Sequence, residues 1–85
     1  MAYTHVSKLT SKSDQLFETV EAWIDFHGSI GEAHELVADF AADLDEDGKT
    51  VIRTMIYDSE DDRTAHKSTA KSEDRLFIVE LISEG

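Results

Sequence analysis

The sequence has no cysteine and no proline. The absence of cysteine excludes disulfide scaffolds, thiolate metal sites and cysteine nucleophiles. No apolar run approaches the roughly 18 residues that a helix needs to cross a bilayer, so we expect no membrane association. The opening residues, MAYTHVSKLT, lack the basic and then apolar pattern of an export signal, and we therefore expect a cytoplasmic protein.

Basic residues are scarce as well. The 8 Lys and Arg stand against 19 Asp and Glu, which gives a formal net charge of −11. Nucleic acids and anionic membranes are themselves negatively charged, so we expect direct binding to neither. A basic protein is the natural electrostatic complement, whereas solubility alone and adaptation to high salt are the alternative explanations for such acidity.

The length of the chain predicts a single domain over residues 1–85. A chain this short buries only about 60% of the surface that its unfolded form exposes, so its core is small. Hydrophobic residues make up 40% of the sequence, which is enough for a globular core and too many for a disordered chain.

The first third of the sequence predicts a strand followed by a helix. Residues 3–9, YTHVSKL, alternate in the manner of a short strand. After a polar SKSD segment, six residues recur at spacings of three and four, the period of an amphipathic helix. They are Leu16, Phe17, Val20, Trp23, Ile24 and His27. Gly28 suits the left-handed position that closes a helix.

A second set at helical spacing follows and comprises Ile30, Ala33, Leu36, Val37, Phe40, Ala41 and Leu44. Since the chain has no proline, one continuous helix is the competing interpretation. On a continuous helix the two apolar stripes would lie roughly 135° apart, and only a break at residues 28–29 lets both stripes face one core. We therefore predict a helical hairpin.

The second half of the sequence predicts two strands. TVIRTMIY at 50–57 and RLFIVELI at 75–82 are rich in β-branched and aromatic residues. The polar segment between them, 58–74, is long for a hairpin loop, and a short helix around 64–71 is the alternative to a mobile loop. The predicted fold is α+β in the order β-α-α-β-β, with a three-stranded sheet and the helical hairpin packed on one face.

The stretch DLDEDGK is similar to half of a calcium-binding loop. Asp43, Asp45, Asp47 and Gly48 match the first half of the EF-hand pattern. The bidentate glutamate that such a loop needs at its last position is replaced by Thr54. We therefore predict no metal and no cofactor, and we interpret the stretch as the end of an acidic helix that stops at the glycine.

Acidic residues concentrate in residues 13–48, a stretch without Lys or Arg that we name the acidic segment. It holds eleven of the 19 acids, and the other eight acids are matched by the 8 basic residues elsewhere in the chain. We predict that the acids of this segment bind a partner. They are Asp14, Glu18, Glu21, Asp25, Glu32, Glu35, Asp39, Asp43, Asp45, Glu46 and Asp47.

The spacing of these acids predicts one carboxylate ridge along each predicted helix, because they recur at three and four residues. Carboxylates in such a ridge recur about every 5.4 Å, one helical turn, and phosphates of one DNA strand recur at about 3.4 Å of axial rise. Like charges at i,i+4 cost about 0.2–0.5 kcal/mol per pair. A surface selected only for solubility would include lysines, so the spacing favours binding to a basic groove.

The function that these features predict is that of a small acidic inhibitor. It would act as a DNA mimic that blocks a basic nucleic-acid-binding protein, in the manner of phage-encoded anti-restriction or anti-CRISPR proteins, and would then act in the host cytoplasm. An immunity protein or antitoxin that neutralises a basic nuclease toxin is the alternative. A further alternative is a small acidic, halophilic or simply soluble, homodimeric domain without an inhibitory role.

No catalytic pattern accompanies the acids, and we expect no enzymatic activity. The histidines show no metal-binding spacing; they are His5, His27, His34 and His66. His27 and Trp23 fall on the apolar stripe, which predicts that both belong to the core. If the helices cover one face of the sheet, Leu76, Ile78 and Ile82 would be exposed on the other face and form an apolar patch suited to a homodimer.

Overall fold

A computed structural model describes residues 2–27, 35–69 and 73–85 of the chain. Its strands are β1 (Tyr3–Ser11), β2 (Asp39–Leu44), β3 (Thr50–Tyr57) and β4 (Phe77–Glu84). Its helices are α1 (Val20–His27), α2 (Glu60–Thr69) and α3 (Glu73–Leu76), the last a single turn. The predicted α+β class is confirmed.

The four strands form one antiparallel sheet in the order β2-β3-β1-β4. The prediction of three strands therefore missed one, β2. β1 and β3 are central and β2 and β4 are the edges. Apart from the single-turn α3, the chain order is β-α-β-β-α-β. α1 connects β1 to β2, and β3 lies between these two strands in the sheet; α2 lies in the connection from β3 to β4, and β1 lies between those two. This order of strands is the split β-α-β arrangement, which also occurs in ferredoxin-like domains. Such a fold hosts many unrelated functions, so function has to be argued from the surface.

The central strands alternate between the two faces of the sheet. Leu9 and Val51 are paired across β1 and β3 and are fully buried, on what we call the inner face. Neighbouring residues such as Val6 and Ile52 point to the opposite, outer face and are half-buried. The period of two predicts both strands, and the structure confirms them, with β1 extending to Ser11.

The core lies between the inner face and the two longer helices. Its buried apolar side chains are Leu9, Phe17, Trp23, Val51, Met55, Tyr57 and Phe77. Full burial of a large apolar side chain stabilises a fold by about 1.5–3 kcal/mol. Phe77 meets the Trp23 ring edge-on at 6.3 Å and the His27 ring at 4.7 Å between centroids. The predicted core positions of Trp23 and His27 are confirmed.

Helix α1 begins later than predicted because Thr19 caps it. The Thr19 hydroxyl accepts a hydrogen bond from the backbone N–H of Ala22 at 3.0 Å, as an N-cap residue does. Helical structure therefore starts at Val20. Trp23 stacks on Phe40 of β2 with an interplanar angle of 9° and meets Phe77 of β4 edge-on, so α1 packs across the inner face between β2 and the start of β4.

The predicted second helix is wrong over residues 39–44, which form β2 and pair with β3 along their whole length. Phe40 and Leu44 are half-buried and pack against the core. Two residues four apart share one side of a strand and one side of a helix, so these two apolar residues fit either period. The break at 28–29 and the first part of the predicted helix, 30–34, lie outside the described residues.

The β2–β3 connection is a tight hairpin, and Gly48 belongs to its turn instead of ending a helix. Gly48 has a φ of 68°, in the left-handed region that glycine adopts without steric cost. Its N–H donates to the carbonyl of Asp45 at 3.0 Å, and the N–H of Asp45 donates to the carbonyl of Thr50 at 2.8 Å. A Cβ on Gly48 would lie 3.1 Å from the carbonyl oxygen of Phe17, a contact so tight that the Phe17 backbone would have to shift by a few tenths of an ångström.

The segment between β3 and β4 is mainly helical in its described part. Ser59 caps α2, since its hydroxyl accepts a hydrogen bond from the N–H of Asp62 at 3.2 Å. Of the two alternatives for this segment, the short helix is therefore the one observed, and it covers Glu60–Thr69. Residues 70–71 of its predicted range lie outside the described residues. The last predicted strand also exists, but it begins at Phe77 because α3 precedes it.

Candidate partner-binding surface

The acidic segment forms an exposed surface in the structure. Every acid of the segment that the structure describes is exposed. These residues, which we name the acidic surface, are Asp14, Glu18, Glu21, Asp25, Glu35, Asp39, Asp43, Asp45, Glu46 and Asp47. Glu32 lies outside the described residues. Since the segment contains no Lys or Arg, no basic residue of its own neutralises this surface.

The α1 part of the acidic surface is shorter than the predicted ridge. Only Glu21 and Asp25 lie on α1, four residues apart, which places their Cβ atoms about 5–6 Å from each other. Asp14 and Glu18 precede the helix, because the Thr19 cap sets its start. The predicted ridge of four carboxylates along one helix is therefore wrong, although all four residues are exposed.

The β2 part of the acidic surface replaces the second predicted ridge. Asp39 and Asp43 are exposed on the outer face, while Phe40 and Ala42 point inward. Four strand residues span about 13 Å, so these two carboxylates lie farther apart than one helical turn. The second ridge is wrong as a helical feature because pairing with β3 fixes this stretch as a strand.

The hairpin between β2 and β3 presents the last three acids, Asp45, Glu46 and Asp47. Oδ1 of Asp47 accepts hydrogen bonds from the N–H groups of Lys49 and Thr50, and Oδ2 accepts one from the Thr50 hydroxyl, all at 2.9 Å. These hydrogen bonds, that from the Lys49 N–H above all, lower the pKa of Asp47 below its ordinary value. Asp47 thus stabilises the turn, as aspartate commonly does.

The structure also bears on the half calcium motif. Asp47, one of its three aspartates, uses both carboxylate oxygens to hold its own turn, and β3 follows where an EF-hand has its second helix. Within residues 2–27, 35–69 and 73–85, no group of three or more His, Cys, Asp or Glu side chains is placed to hold a metal ion.

A buried polar cluster that the sequence did not predict joins α2 to the inner face. The Tyr57 hydroxyl and Nδ1 of His66 share a hydrogen bond of 2.7 Å, with Tyr57 1% exposed and His66 6% exposed. Nε2 of His5 lies 3.4 Å from a terminal nitrogen of Arg63. The Arg63 guanidinium also lies 5.9 Å from the centre of the Tyr57 ring, within the range of a cation–π contact.

Glu84 of β4 extends this cluster to the end of the sheet. Its carboxylate accepts a hydrogen bond from Tyr3 and lies 3.8 Å from Nδ1 of His5. The hydrogen bond lowers the pKa of Glu84 and raises the pKa of Tyr3 to about 12, because ionising the phenol would set two negative charges side by side.

In this geometry the buried polar cluster stabilises the fold. A histidine bonded to a tyrosine hydroxyl can accept its proton, but a reacting group also has to reach a substrate. The Tyr57 hydroxyl is enclosed between α2 and the sheet, with the Tyr57 side chain almost fully buried. What the cluster does is connect α2 to β1, β3 and β4 through directional polar contacts.

The predicted apolar patch lies along the edge strand β4. Ile78 is 59% exposed and Ile82 is 52% exposed, whereas Leu76 packs against the core from α3 and is wrong as a member of the patch. Leu81 of the same strand is 54% exposed. The exposed aliphatic side chains therefore follow one sheet edge, and Asp39 and Asp43 lie on the strand at the opposite edge.

Within the described residues, no helix is both long enough and apolar enough to cross a membrane. Comparisons with protein-family models, with curated proteins and with solved structures found no match. Among the surfaces of the described residues, the acidic surface restricts the possible partners most, because a dense group of carboxylates favours a basic protein.

Proposed function

We propose that this protein is a small acidic inhibitor that occupies the basic groove of a nucleic-acid-binding protein and thereby acts as a DNA mimic. One observation supports this proposal above all. Every described acid of the acidic segment is exposed, and the segment has no basic residue to neutralise them. The remainder of the chain has equal numbers of acidic and basic residues, so the acidic segment accounts for the whole net charge of −11.

The arrangement of the acidic surface supports binding in a groove. α1 packs on the inner face of the sheet, where its Trp23 stacks on Phe40 of β2, whereas Asp39 and Asp43 project from the outer face of β2. A groove that encloses this part of the sheet would therefore meet acids on both of its faces. Carboxylates about 5–13 Å apart lie within one or two screening lengths, about 8 Å at physiological salt, so their fields add. A groove rich in Lys and Arg would be attracted to this summed field.

We propose that the protein imitates the charge density of DNA and that its carboxylates do not coincide one by one with phosphate positions. On β2 the carboxylates of Asp39 and Asp43 are about 13 Å apart, which corresponds to roughly four phosphates of axial rise along one DNA strand. The shorter spacing of Glu21 and Asp25 on α1 is closer to that of neighbouring phosphates. Partner affinity should therefore depend on the total charge of the acidic surface and fall steeply as salt rises.

The experiment compares two variants with the same net charge. The first replaces acids of the acidic surface: Asp25→Asn, Asp39→Asn and Asp43→Asn. The second replaces exposed acids elsewhere: Asp58→Asn, Asp61→Asn and Glu80→Gln. Asparagine at position 39 keeps an acceptor for the Phe40 N–H, which Asp39 Oδ1 binds at 2.9 Å. Each variant and the wild type are used to capture partners from a host lysate.

We expect the wild type and the second variant to capture a nucleic-acid-binding protein that duplex DNA then displaces. The first variant should bind that partner at least tenfold more weakly, which corresponds to about 1.4 kcal/mol. Equal capture by both variants, or simultaneous binding of the partner to DNA and to this protein, would contradict the mimic. If the captured protein is a nuclease toxin, the immunity-protein alternative is favoured.

Salt dependence separates the inhibitor from a halophilic domain. Raising the salt to about 1 M shortens the screening length to about 3 Å and suppresses repulsion among the acids. A halophilic protein needs that suppression to fold. For an inhibitor we expect a cooperative thermal melt in circular dichroism at about 0.15 M salt. An unfolded chain at this salt, which folds only at molar concentrations, would favour the halophilic alternative.

A further inference from the structure

The two edge strands of the sheet differ in what they present to solvent. On β2 the exposed side chains include the carboxylates of Asp39 and Asp43. On β4 three large aliphatic side chains are more than half exposed: Ile78 at 59%, Leu81 at 54% and Ile82 at 52%. The sheet therefore has one charged edge and one apolar edge.

This difference matters because an edge strand leaves a row of backbone N–H and C=O groups unpaired within the sheet. Natural proteins oppose strand addition by placing charges, prolines or bulges on such edges. β2 has its carboxylates. The part of β4 between Phe77 and Leu81 has a continuous register with β1 and one charged residue, Glu80, and its sequence FIVEL has high β-propensity.

We propose that β4 pairs with β4 of a second copy of this chain, antiparallel and around a two-fold axis, to form a continuous eight-stranded sheet. This inference is independent of the proposed inhibitory function. The apolar edge would then be covered, and Ile78 and Leu81 of each copy would lie against the partner strand. A two-fold interface requires one self-complementary surface from each copy, and an antiparallel strand pair meets that requirement.

The charge distribution favours a second copy at this edge. Two molecules of net charge −11 repel each other, so they can meet at low cost only through surfaces remote from the acidic segment. β4 belongs to the part of the chain in which acidic and basic residues are equal in number. Beside it on β1, Lys8 stands directly opposite Glu80, so this carboxylate has a cation next to it in the sheet.

The register of β4 predicts where the axis lies. The regular stretch from Phe77 to Leu81 is centred on Val79, and the pairing with β1 becomes irregular beyond Leu81. With the axis at Val79, each Glu80 stands opposite Ile78 of the other copy and not opposite the other Glu80. Like charges directly opposite each other would destabilise the pair, and this register avoids them.

The pairing would be of moderate strength. One strand and a few side chains from each copy make an interface at or below about 1,200 Å² in total, the range of weak and transient complexes. We therefore expect a monomer–dimer equilibrium that responds to protein concentration in the micromolar range. The two β2 strands, with Asp39 and Asp43, would lie at opposite ends of the joined sheet, where both stay exposed.

Sedimentation equilibrium tests the dimer with matched variants. Leu81→Lys places a charge on the proposed interface, and Leu16→Lys makes the same change at a leucine that is 61% exposed beside the β2–β3 turn. We expect the first variant to dimerise at least tenfold more weakly than the wild type and the second to be unchanged. A wild type that stays monomeric at several hundred micromolar, or equal weakening by both variants, would overturn the proposal.

Spin labels test the geometry without relying on the lysine variants. The chain has no cysteine, so Glu80→Cys and Asp43→Cys each provide one labelling site, both at exposed acids. In the proposed dimer the two labels at position 80 should be within roughly 10 Å of each other. Those at position 43 should be about 34 Å apart, because seven strand spacings of about 4.8 Å separate the two β2 strands.

Other modes of dimerisation predict different distances between the labels. Face-to-face stacking of two sheets would set them about 10 Å apart and bring the labels at position 43 much closer than in the edge-paired dimer. Pairing through β2 would make the position 43 labels the close pair. Either result would overturn pairing through β4, whereas a short distance at position 80 together with a long one at position 43 supports it.

Discussion

The hydrogen bond between Tyr57 and His66 offers a sharp test of how α2 is held on the sheet. Tyr57→Phe removes only the hydroxyl and keeps the ring in the core. The bond is 2.7 Å long, and both side chains are at least 94% buried. Removing one partner of a buried hydrogen bond costs about 1–3 kcal/mol, because the remaining group loses its solvation without compensation.

That loss is large for a domain of this size. Domains of 85 residues have unfolding free energies of about 4–13 kcal/mol at the usual stability per residue. A loss of about 2 kcal/mol should lower the melting temperature by roughly 8–16 °C. The single tryptophan, Trp23, is fully buried and reports unfolding by fluorescence, so urea titration gives the free energy directly.

A matched substitution and a double-mutant cycle identify the cause. Tyr3→Phe also deletes a phenolic hydroxyl, but Tyr3 is only half-buried and bonds to an exposed carboxylate, so we expect a clearly smaller loss than for Tyr57→Phe. Tyr57→Phe combined with His66→Phe should cost less than the sum of the single changes. Additive effects, or a loss below about 0.5 kcal/mol for Tyr57→Phe, would refute a stabilising role for this bond.

Three further predictions concern the turn, a helix cap and an ionisation. Gly48→Ala should lower the free energy of unfolding by about 1–2 kcal/mol in urea titration, because alanine disfavours a φ of 68° and its Cβ would crowd Phe17. Ser59→Ala should cost about 1 kcal/mol, measured by thermal melting, since α2 loses its cap. The pKa of Tyr3, about 12 in the folded protein, should fall towards 10 in Glu84→Gln when followed by NMR of the ring. The stability linked to this raised pKa is therefore present below pH 10 and is lost as the pH rises through about 12.

The central strands were accessible to sequence reasoning because one physical rule decides them. In β3 the buried residues Val51, Met55 and Tyr57 all lie at odd-numbered positions. The residues at the even-numbered positions between them are isoleucine and threonine, which are β-branched. The same parity appears in β1, where Leu9 is buried. A strand with one covered face has this pattern whatever its neighbours are, so no knowledge of the tertiary structure is needed.

The edge strand β2 was not accessible in the same way. Its two bulky apolar residues, Phe40 and Leu44, are four apart, and the residues between them are alanine and aspartate, which leave the period undecided. The Asp47-Gly48 pair at the end is a hairpin signal as well as a helix stop. Since 50–57 is itself a strand, a hairpin joining two strands was the interpretation consistent with both neighbours.

The acidic surface and the buried cluster differ in how far the sequence could predict them. Exposure of Asp and Glu follows from the cost of burying a charge, so the exposed acids needed no structure. Their arrangement did need one, since it depends on β2 being a strand. The cluster joins Tyr3 to Glu84 and Tyr57 to His66, and such contacts between distant positions exist only once the strand order is fixed.

The acids of β2 affect both partner binding and self-association. Asp39 and Asp43 add to the charge of the acidic surface, and they also oppose the addition of another strand to the edge that they occupy. Their replacement by asparagine therefore changes partner binding through electrostatics and self-association through the backbone. Replacing Glu21 and Asp25 on α1 changes only the charge, because a helix has no unpaired edge. A loss of partner affinity from both pairs, with new self-association from the β2 pair alone, is the combined result that this fold predicts.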